Sequence, residues 1–423
     1  MKTLKVILIG AGSRGNAYTR RMNNEKFKVV AVAEPIPERR NHIKEKHGIP
    51  EEMCFNTWEP LLDLPKFADI AIISTMDRQH LAPALKAIEQ GYNLLLEKPA
   101  TPTPEECIEI EKAAKAKGVK ILVCHVLRYS PFFMALKSMI NEGLIGKVMS
   151  IHHAECVGNT HQSHSFVRGN WGNSDESSSM ILQKSCHDMD ILQWLVDKPC
   201  KKVQSFGSLT YFTRENAPEG SPEYCDETCP EFDTCHYNAV KLYMEDAKNG
   251  WFREAAARIP EPTDEQLAEA LRTSQYGKCV FKCNNNVVDH QVVNLEFEDG
   301  TVASFNMCAF NKGGRFIRIM GTEGELYGSA NTNEIEYFNF TTRQTETIQA
   351  YDRLMSDSIV NGHGGGDDGI INALYDYIAE GKTTKDLSEI EISVKNHMIA
   401  FAAEKSRVEG TVIDLDEFEK QYR

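Results

Sequence analysis

The N-terminal stretch KVILIGAGSRGNAYTRRMNNEKFKVVAVAE, residues 5–34, decides the fold of this chain. It holds two short apolar runs, KVILIG at its start and KVVAVAE at its end, separated by a glycine-rich turn and a helical segment. Both runs are apolar on both faces, which is typical of strands in a parallel sheet that helices cover on both sides. A strand–helix–strand unit of this length predicts a right-handed crossover and therefore a doubly wound parallel sheet.

The turn between the two runs, GAGSRG at residues 10–15, has the spacing of a dinucleotide-binding loop. Its first glycine permits a tight turn, the second lets a diphosphate approach the backbone, and the third lets helix and strand pack closely. Glu34 follows the last glycine by 34 − 15 = 19 residues, where a carboxylate accepts the ribose hydroxyls of NAD and repels the extra phosphate of NADP. We therefore predict an NAD site, although Arg14, Arg39 and Arg40 lie close enough to keep some use of NADP open. The cofactor-binding candidates in this stretch are Gly10, Gly12, Ser13, Arg14, Gly15 and Glu34.

The same alternation of apolar runs and helical segments continues through the first third of the chain. Strands are expected at residues 68–75, 93–97 and 120–126, and helices at 80–90 and 104–117. Each of these two helical segments is followed by a glycine, which is the usual helix-ending residue. Residues 1–126 are therefore predicted to form a Rossmann domain.

The pattern changes in the second part of the chain. Residues 287–310 alternate apolar and polar side chains on either side of Asp299-Gly300, a signal for a hairpin with a type I′ turn. Further strands are expected at 315–320 and 334–340, and closing helices at 367–379 and 387–407. Residues 127–423 are predicted to form an α+β domain with a mainly antiparallel sheet.

Composition excludes several classes of function. With 47 basic and 61 acidic residues the net charge is 47 − 61 = −14, which argues against nucleic-acid binding and against docking on an anionic membrane. No apolar stretch approaches the roughly 18 residues that span a bilayer, and the N-terminal apolar run is too short for a secretory signal. We expect a cytoplasmic protein whose partner is a small molecule.

Five of the twelve cysteines cluster in a segment of about residues 214–285 that fits neither sheet. Closely spaced thiols in a cytoplasmic protein indicate a metal rather than disulfides. A structural zinc would stabilise an insertion with little core, whereas free cysteines or an iron–sulfur cluster remain alternatives. The candidate ligands are Cys225, Cys229 and Cys235 with one of Cys279, Cys283 (the preferred fourth ligand) or His236. Four histidines at 152, 153, 161 and 164 lack a metal-binding register, and no catalytic metal is predicted there.

Lys98 follows the strand at 93–97, at the edge of the sheet where ligands of such folds bind. A desolvated lysine there can exchange a proton with a substrate hydroxyl. His187 begins an amphipathic helix at 187–196 and can face a cleft, although a structural histidine at a helix start is the plain alternative.

Several short motifs, taken together and in their order along the chain, resemble the Gfo/Idh/MocA family of sugar and cyclitol dehydrogenases (glucose–fructose oxidoreductase, inositol dehydrogenase and rhizopine catabolism). The motifs are the glycine loop, Thr75 and His80 in STMDRQH, Glu97-Lys98-Pro99, RYSP at 128–131, GLIGKV at 143–148 and KSCHDMD at 184–190. The resemblance implies a large open sheet in the second domain that commonly forms a homo-oligomer interface, here of a dimer or tetramer. It also implies that substrate lies between the domains.

The same resemblance implies that Lys98 contacts both substrate and cofactor, and that Thr75, His80 and Glu97 contact the cofactor. It also implies that His187 is the acid/base that acts on the substrate hydroxyl. The chain departs from the family at Gln183, where many members carry Asp, and Lys184 stands beside it. The shares of Lys98, Lys184 and His187 in catalysis are therefore open. Further candidates for binding a hydroxyl-rich substrate are Arg128, Tyr129, Trp171, His290 and His363.

The predicted function is hydride transfer between NAD and a secondary hydroxyl of a sugar, sugar derivative or cyclitol. The alternative is an NAD-dependent glycoside hydrolase or lyase that oxidises the sugar transiently, eliminates the aglycone and returns the hydride. The same glycine loop, Lys98 and His187 would serve both reactions.

Overall fold

The computed structural model describes residues 2–245, 250–353 and 363–423, and of His363 the backbone only. The first sheet has six parallel strands in the order β3-β2-β1-β4-β5-β6. This order, which reverses direction between β1 and β4, confirms the doubly wound sheet expected from the glycine-loop stretch. The strands are β1 (Leu4–Ile9), β2 (Phe27–Ala33), β3 (Cys54–Phe55), β4 (Ile70–Ile73), β5 (Asn93–Leu96) and β6 (Ile121–Val123).

The second sheet has nine strands in the order β14-β13-β12-β11-β7-β10-β9-β8-β15. Every pair is antiparallel except β7 with β10, which is parallel, so the mainly antiparallel second sheet is confirmed. The strands are β7 (Val148–Cys156), β8 (Cys200–Ser208), β9 (His290–Phe297), β10 (Val302–Cys308), β11 (Gly314–Gly321), β12 (Gly324–Ser329), β13 (Glu334–Asn339), β14 (Thr345–Gln349) and β15 (Ile413–Asp414).

The turn between β9 and β10 differs from the expected type. Gly300 has a positive φ of 85°, but Asp299 does not lie in the left-handed region, whereas a type I′ turn needs a positive φ at both residues. The Gly300 amide donates to the carbonyl of Phe297 at 3.0 Å, and the Phe297 amide donates to Thr301. The hairpin therefore closes through a wider loop with one left-handed glycine.

Helices cover both faces of the first sheet and one face of the second. The helices are α1 (Ser13–Thr19), α2 (Pro37–His47), α3 (Trp58–Leu62), α4 (Leu81–Glu89), α5 (Pro104–Lys117), α6 (Pro131–Asn141), α7 (Asn159–His161), α8 (Met180–Gln183), α9 (Cys186–Val196), α10 (Gly250–Ala257), α11 (Asp264–Thr273), α12 (Ala350–Arg353), α13 (Gly366–Ala379), α14 (Ile390–Glu409) and α15 (Leu415–Lys420), with a π-helical segment at Gln162–Arg168. Ile370 and Leu374 of α13 pack into the core around β1 and β2. The division of the chain at residue 126 therefore stays a prediction, because a late helix completes the early core.

Within the described residues, no helix is long and apolar enough to cross a membrane.

The segment between β8 and β9 folds around a small core of its own. Its buried members are Ala239, Leu242, Tyr243, Phe252, Ala256, Leu267, Leu271 and Tyr276. His164, from the π-helical segment, inserts into this core with its ring stacked on Phe252 at 4.0 Å between centroids and on Tyr276 at 5.2 Å. Its Nδ1 lies 2.8 Å from the hydroxyl of Tyr243. Aromatic packing therefore fixes the insertion to the second domain.

A buried ion pair joins the end of the first sheet to two helices of the second domain. The Arg128 guanidinium, just after β6, donates to both carboxylate oxygens of Asp190 in α9, at 2.7 and 2.9 Å. Asn396 of α14 donates to the same carboxylate at 2.6 Å. Burial alone would raise the pKa of Asp190, but the charge of Arg128, together with His125 and the hydrogen bonds from Arg128 and Asn396, outweighs burial, so the pKa lies below its usual range. The pair locks α9 and α14 to the sheet end.

Replacing one partner of this pair should strongly destabilise the fold. In Arg128→Met the carboxylate of Asp190 stays buried without its cation, which typically costs about 3–5 kcal/mol. The double variant Arg128→Met/Asp190→Leu should be markedly more stable than Arg128→Met, because no unpaired charge remains. Urea unfolding of the three proteins measures this, and equal stability of the single and double variants would contradict it.

The buried His164 should make stability depend on pH. Burial, with a smaller contribution from the charge of Arg168, lowers the pKa of His164 to about 3, whereas an unfolded histidine titrates near 6.5. As the pH falls below about 6.5, the unfolded chain takes up a proton that the folded chain does not, so stability falls. When the pH is lowered from 7.5 to 5, the free energy of unfolding should therefore fall by about 2 kcal/mol more in the parent than in His164→Phe.

Urea unfolding at several pH values measures this difference. The matched control is His236→Phe, at an exposed histidine of the same insertion, which should keep the parent's pH dependence. If His164→Phe showed the same pH dependence of stability as the parent, the result would contradict this interpretation.

Candidate active site

The glycine loop leaves open space at one of its three glycines. A Cβ at Gly10, whose φ is 89°, would come within 2.6 Å of the carbonyl oxygen of Ser74, and a Cβ at Gly15 would overlap the carbonyl of Gly10. A Cβ at Gly12 would meet only Nη1 of Arg39, at 3.8 Å. The first and third glycines are therefore needed for packing, whereas the space at Gly12 suits the approach of a diphosphate.

Glu34 lies at the carboxyl end of β2, with its carboxylate turned to the glycine loop. One oxygen accepts from the amide of Ala11 at 2.7 Å and the other from the amide of Ile36 at 3.0 Å. These bonds orient a buried carboxylate beside the loop, where the ribose of a dinucleotide would lie. The residues present therefore fit NAD.

Arg14 and Glu97 belong to one buried network below the loop. The Arg14 guanidinium donates to Glu97 at 2.8 Å and to Asp367 at 2.7 Å, and the Tyr18 hydroxyl donates to Glu97 at 2.5 Å. Burial alone would raise the pKa of Glu97, but Arg14 and Lys98 reverse the effect, so its pKa is lowered. Both residues thus hold the start of α1 against the end of β5, and direct contact with a cofactor stays a prediction for them.

His80 links the two loops that follow β4 and β5. Its Nδ1 lies 2.9 Å from the carbonyl of Pro99 and its Nε2 lies 3.1 Å from the carbonyl of Thr75. The ring is buried, and the Lys98–Pro99 peptide between these loops is cis. His80 and Thr75 therefore shape the loop that carries Lys98.

Lys98 crosses the cleft between the two domains. Its Nζ donates to the main-chain carbonyl of Gln183, at the end of α8, at 2.6 Å. His187 stands in the first turn of the next helix, α9, and is buried. The structure thus brings Lys98 and His187, which are far apart in sequence, to the same edge of the first sheet.

Two further histidines, which sequence reasoning missed, stand behind His187. The rings of His125 and His187 meet edge to face at 5.8 Å, and His125 meets His397 of α14 at 5.3 Å. Burial lowers the pKa of His125, and burial together with His125 lowers that of His397 to about 3. Burial therefore favours the neutral form of both rings. The position of His125 at the end of a predicted strand was the available signal, whereas His397 lay hidden in a helix pattern.

Lys184 is the end of a charged network that was not foreseen. Its Nζ lies 3.3 Å from Glu155 of β7, and Arg315 of β11 pairs with the same carboxylate and, at 2.8 Å, with Asp188. Asp188 also bonds His153 at 2.7 Å. Burial lowers the pKa of Lys184, partly offset by Glu155. The network holds the start of α9, next to His187.

The predicted substrate-binding residues are not all brought to this cleft. Arg128 is buried in its pair with Asp190, and the Tyr129 hydroxyl bonds Ser388 at 2.9 Å; these contacts argue for packing roles. His290 bonds Asp289 at 2.7 Å and lies on the open face of the second sheet. Trp171 packs beside Phe166, and its buried Nε1 has no hydrogen-bond partner among the described residues. The side chain of His363 lies outside the described residues.

The predicted zinc site is not supported. In the described part of the chain, no group of three or more His, Cys, Asp or Glu side chains is placed to hold a metal ion, so the set of Cys225, Cys229, Cys235 and Cys283 is corrected to free cysteines. The insertion has an aromatic and aliphatic core of its own. In addition, the buried Arg168 guanidinium lies 3.8 Å from the Cys225 sulfur, where it would repel a metal cation.

The chain is similar to the oxidoreductase-like protein YteT of Bacillus subtilis (strain 168), with 25% identity over 401 residues and 88% of each chain covered. It is 24% identical over 218 residues to an inositol 2-dehydrogenase of Salmonella typhimurium (strain LT2), covering 51% of this chain and 60% of that protein. It is 28% identical over 208 residues to a 2,7-anhydro-N-acetylneuraminate hydratase of Mediterraneibacter gnavus, covering 49% of this chain and 53% of that one. The match thus spans little more than half the length of these last two relatives.

Solved structures show the same fold at low sequence identity. A levoglucosan dehydrogenase in complex with NADH and levoglucosan superimposes with a TM-score of 0.71 at 18% identity, covering 98% of this chain and 100% of that one. Residues 4–125 match the model of the NAD-binding Rossmann domain of an oxidoreductase family, and residues 137–415 match the model of its C-terminal alpha/beta domain. Since these two matches cover nearly the whole chain in the order seen in the structure, the protein belongs to the Gfo/Idh/MocA oxidoreductase family.

Proposed function

We propose that this protein catalyses hydride transfer between NAD and a secondary hydroxyl of a sugar, sugar derivative or cyclitol. The observation that carries the proposal is the approach of α8 and α9 to the carboxyl edge of the first sheet, where Lys98 donates to the Gln183 carbonyl at 2.6 Å and the His187 ring lies 5.8 Å from that of His125. A cation and an imidazole at the carboxyl edge of a dinucleotide-binding sheet suit the oxidation of an alcohol. When bound, NAD supplies the hydride acceptor.

His187 is the proposed base, and Lys98 binds the same substrate oxygen. An ammonium group has three N–H donors, and one of those on Lys98 is used by Gln183. The remaining donors can hold the substrate hydroxyl in place and stabilise the negative charge that develops on its oxygen as the proton leaves for His187. The neutral rings of His125 and His397 behind His187 add no competing cation.

Lys184 is proposed as a positioning residue. Its ammonium pairs with Glu155, and the network continues through Arg315 to Asp188, the neighbour of His187. The proposed task of the network is to hold the first turn of α9 and with it the imidazole of His187.

The names of the relatives support a carbohydrate-like substrate. An inositol 2-dehydrogenase and a levoglucosan dehydrogenase both act on compounds rich in hydroxyl groups. The exposed side chains Phe206, Val302, Phe316 and Tyr327 on the second sheet also support self-association through that sheet. We place the protein in the cytoplasm, in accord with its twelve free cysteines.

A second candidate is a redox-neutral reaction in which the hydride is returned to the product. It is favoured by the similarity to a 2,7-anhydro-N-acetylneuraminate hydratase, which is not named as a dehydrogenase. In this reaction, transient oxidation acidifies a neighbouring C–H bond, a leaving group departs, and re-reduction restores the cofactor. Such a reaction gives a cleaved product with no net NADH.

The proposed function is tested on a panel of sugars, cyclitols and glycosides, with NADH absorbance and product analysis in parallel. Lys98→Met and His187→Asn should each lower kcat/KM about 10²- to 10⁴-fold, because each removes a group that acts on the substrate oxygen. NADH binding should persist in both. Lys115→Met, at an exposed lysine of the same domain, is the matched control and should remain active.

Net NADH supports the dehydrogenase, and cleavage of a glycoside without net NADH supports the second candidate. Failure of the whole panel in protein that binds NADH would reject both reactions. Full activity of Lys98→Met would reject the proposed role of Lys98.

The choice between NAD and NADP is tested at Glu34. The parent should bind NADH more tightly than NADPH. Glu34→Gln should lower the ratio of the Kd for NADPH to the Kd for NADH by about tenfold, or about 1.4 kcal/mol, because the carboxylate that repels the extra phosphate is gone. Fluorescence titration with both cofactors measures the ratio. Glu38→Gln, at an exposed carboxylate four residues later, should leave it unchanged, and a parent that prefers NADPH would contradict the assignment.

A further inference from the structure

A small cavity in the insertion between β8 and β9 is lined by four of the twelve cysteines. They are Cys225, Cys229, Cys235 and Cys279. Proline and aromatic side chains make up much of the remaining lining, and the cavity, with a volume of about 20 Å³, holds one molecule of the size of water. The thiols are therefore the reactive groups of this cavity, which is too small for a sugar or a nucleotide.

One buried guanidinium joins three chain segments that carry these thiols. Nη2 of Arg168 donates to the Cys225 sulfur at 3.8 Å and to the carbonyl of Tyr237 at 2.6 Å. Tyr237 follows Cys235 by two residues. Nε of Arg168 donates to the carbonyl of Lys278 at 2.8 Å, directly before the last of the four cysteines. Three of the four thiols therefore belong to segments that Arg168 holds together.

The Arg168 side chain has no negative partner among the described residues. It is 1% exposed, and its buried Nη1 makes no hydrogen bond with any of them. In the described part of the chain, the acceptors of its other nitrogens are two carbonyl oxygens and one sulfur, and none is a carboxylate. A buried cation that lacks a counter-charge is costly. Negative charge that develops on the Cys225 sulfur is therefore stabilised at this position.

Cys279 is placed to react with Cys225. The Cys225 amide donates to the carbonyl of Gly277 at 2.8 Å, and the Cys279 amide donates to the carbonyl of Glu223 at 2.9 Å. The residues that precede the two cysteines form an antiparallel bridge, so both cysteine side chains leave their segments on the same face, towards the shared cavity. Residues placed diagonally in this way are about 7–8 Å apart, and an approach of about 1–2 Å would bring them within the Cα distance of a disulfide.

The thiols differ in their exposure and in their surroundings. Cys225 is half-buried, and a small molecule that enters the cavity reaches its sulfur beside the guanidinium. Burial raises the pKa of Cys279 and that of Cys235. These two thiols therefore keep their protons, and Cys225 is the thiol that reacts first.

We propose that Cys225 is a peroxide-reactive thiol and that Cys279 converts its oxidised form into a disulfide within the insertion. Hydrogen peroxide is the oxidant that suits the cavity, because it is barely larger than water, whereas glutathione disulfide or a peroxide with a bulky substituent does not fit. The inference does not depend on the proposed function, because no residue of that reaction takes part.

Two steps complete the reaction. In the first, the Cys225 sulfur attacks one oxygen of hydrogen peroxide. An S–O bond forms, the O–O bond breaks, and the other oxygen leaves as hydroxide, which takes the Cys225 proton and becomes water. The sulfur is thereby oxidised to a sulfenic acid, and the peroxide is reduced. In the second step, the Cys279 sulfur attacks the Cys225 sulfur, an S–S bond forms, the S–O bond breaks, and the hydroxyl group leaves with the Cys279 proton as a second water.

The reaction is followed on the reduced full-length protein, which is treated with hydrogen peroxide in the presence of a chelator and analysed by peptide mass spectrometry. The parent should form a disulfide between Cys225 and Cys279 that dithiothreitol reverses. Cys279→Ser should instead accumulate a sulfenic acid at Cys225, which dimedone traps. The matched control is Cys229→Ser, at a cysteine of the same cavity to which the proposal gives no role, and it should form the same disulfide as the parent.

The role of Arg168 is measured by the rate at which dimedone labels Cys225 during peroxide treatment. In Cys279→Ser, Cys225 should be labelled about tenfold faster than Cys308, a half-buried thiol of β10. Adding Arg168→Met should remove most of this difference, because the charge that stabilises the attacking sulfur is gone.

Equal labelling of Cys225 and Cys308 would overturn the proposal, and this comparison holds even if Arg168→Met fails to fold. A peroxide-induced disulfide that leaves out Cys225 would overturn it as well. If Cys279→Ser fails to fold, the disulfide of the parent decides, and a bond between Cys225 and Cys235 would reject Cys279 as the partner.

Discussion

The buried ion pair between Arg128 and Asp190 is the constraint on which the arrangement of this molecule depends. It ties the end of the last parallel strand to α9, and Asn396 brings α14 to the same carboxylate. Because α9 begins at Cys186, the pair also sets how far His187 stands from the sheet edge that carries Lys98. Two buried charges are expensive to desolvate and are stable only in good geometry, so this contact tolerates little movement between the domains.

The charges around the cleft follow a simple division. Carboxylates with strong partners, Glu97 and Asp190, have lowered pKa values and stay ionised, whereas the buried histidines behind His187 stay neutral. Lys98 is different, because its Nζ is bonded to a main-chain carbonyl and, among the residues that the structure describes, to no carboxylate. Its charge therefore remains available in a region of low dielectric, where it acts strongly on a developing negative oxygen.

The sheets, the glycine loop and the family could be predicted because local patterns carry them. Apolar runs on both faces, glycines at 10, 12 and 15, and the later acid Glu34 are each readable within about 30 residues. The type of the turn at Asp299-Gly300 was wrong, because an identical dipeptide also fits a wider loop with one left-handed glycine. The zinc site was wrong for a similar reason. Cysteine spacing cannot reveal that Arg168, some sixty residues earlier, places its guanidinium beside Cys225.

The sequence by itself therefore determined the two kinds of sheet, the dinucleotide loop, and the candidacy of Lys98 and His187. Only the tertiary structure decided which polar residues serve the cleft. Arg128 was predicted to bind substrate hydroxyls, and the structure pairs it with Asp190 instead. The physical reason is that partners of buried charges and exposed rings come from segments far apart in the chain. No local pattern of residues records which of them will meet.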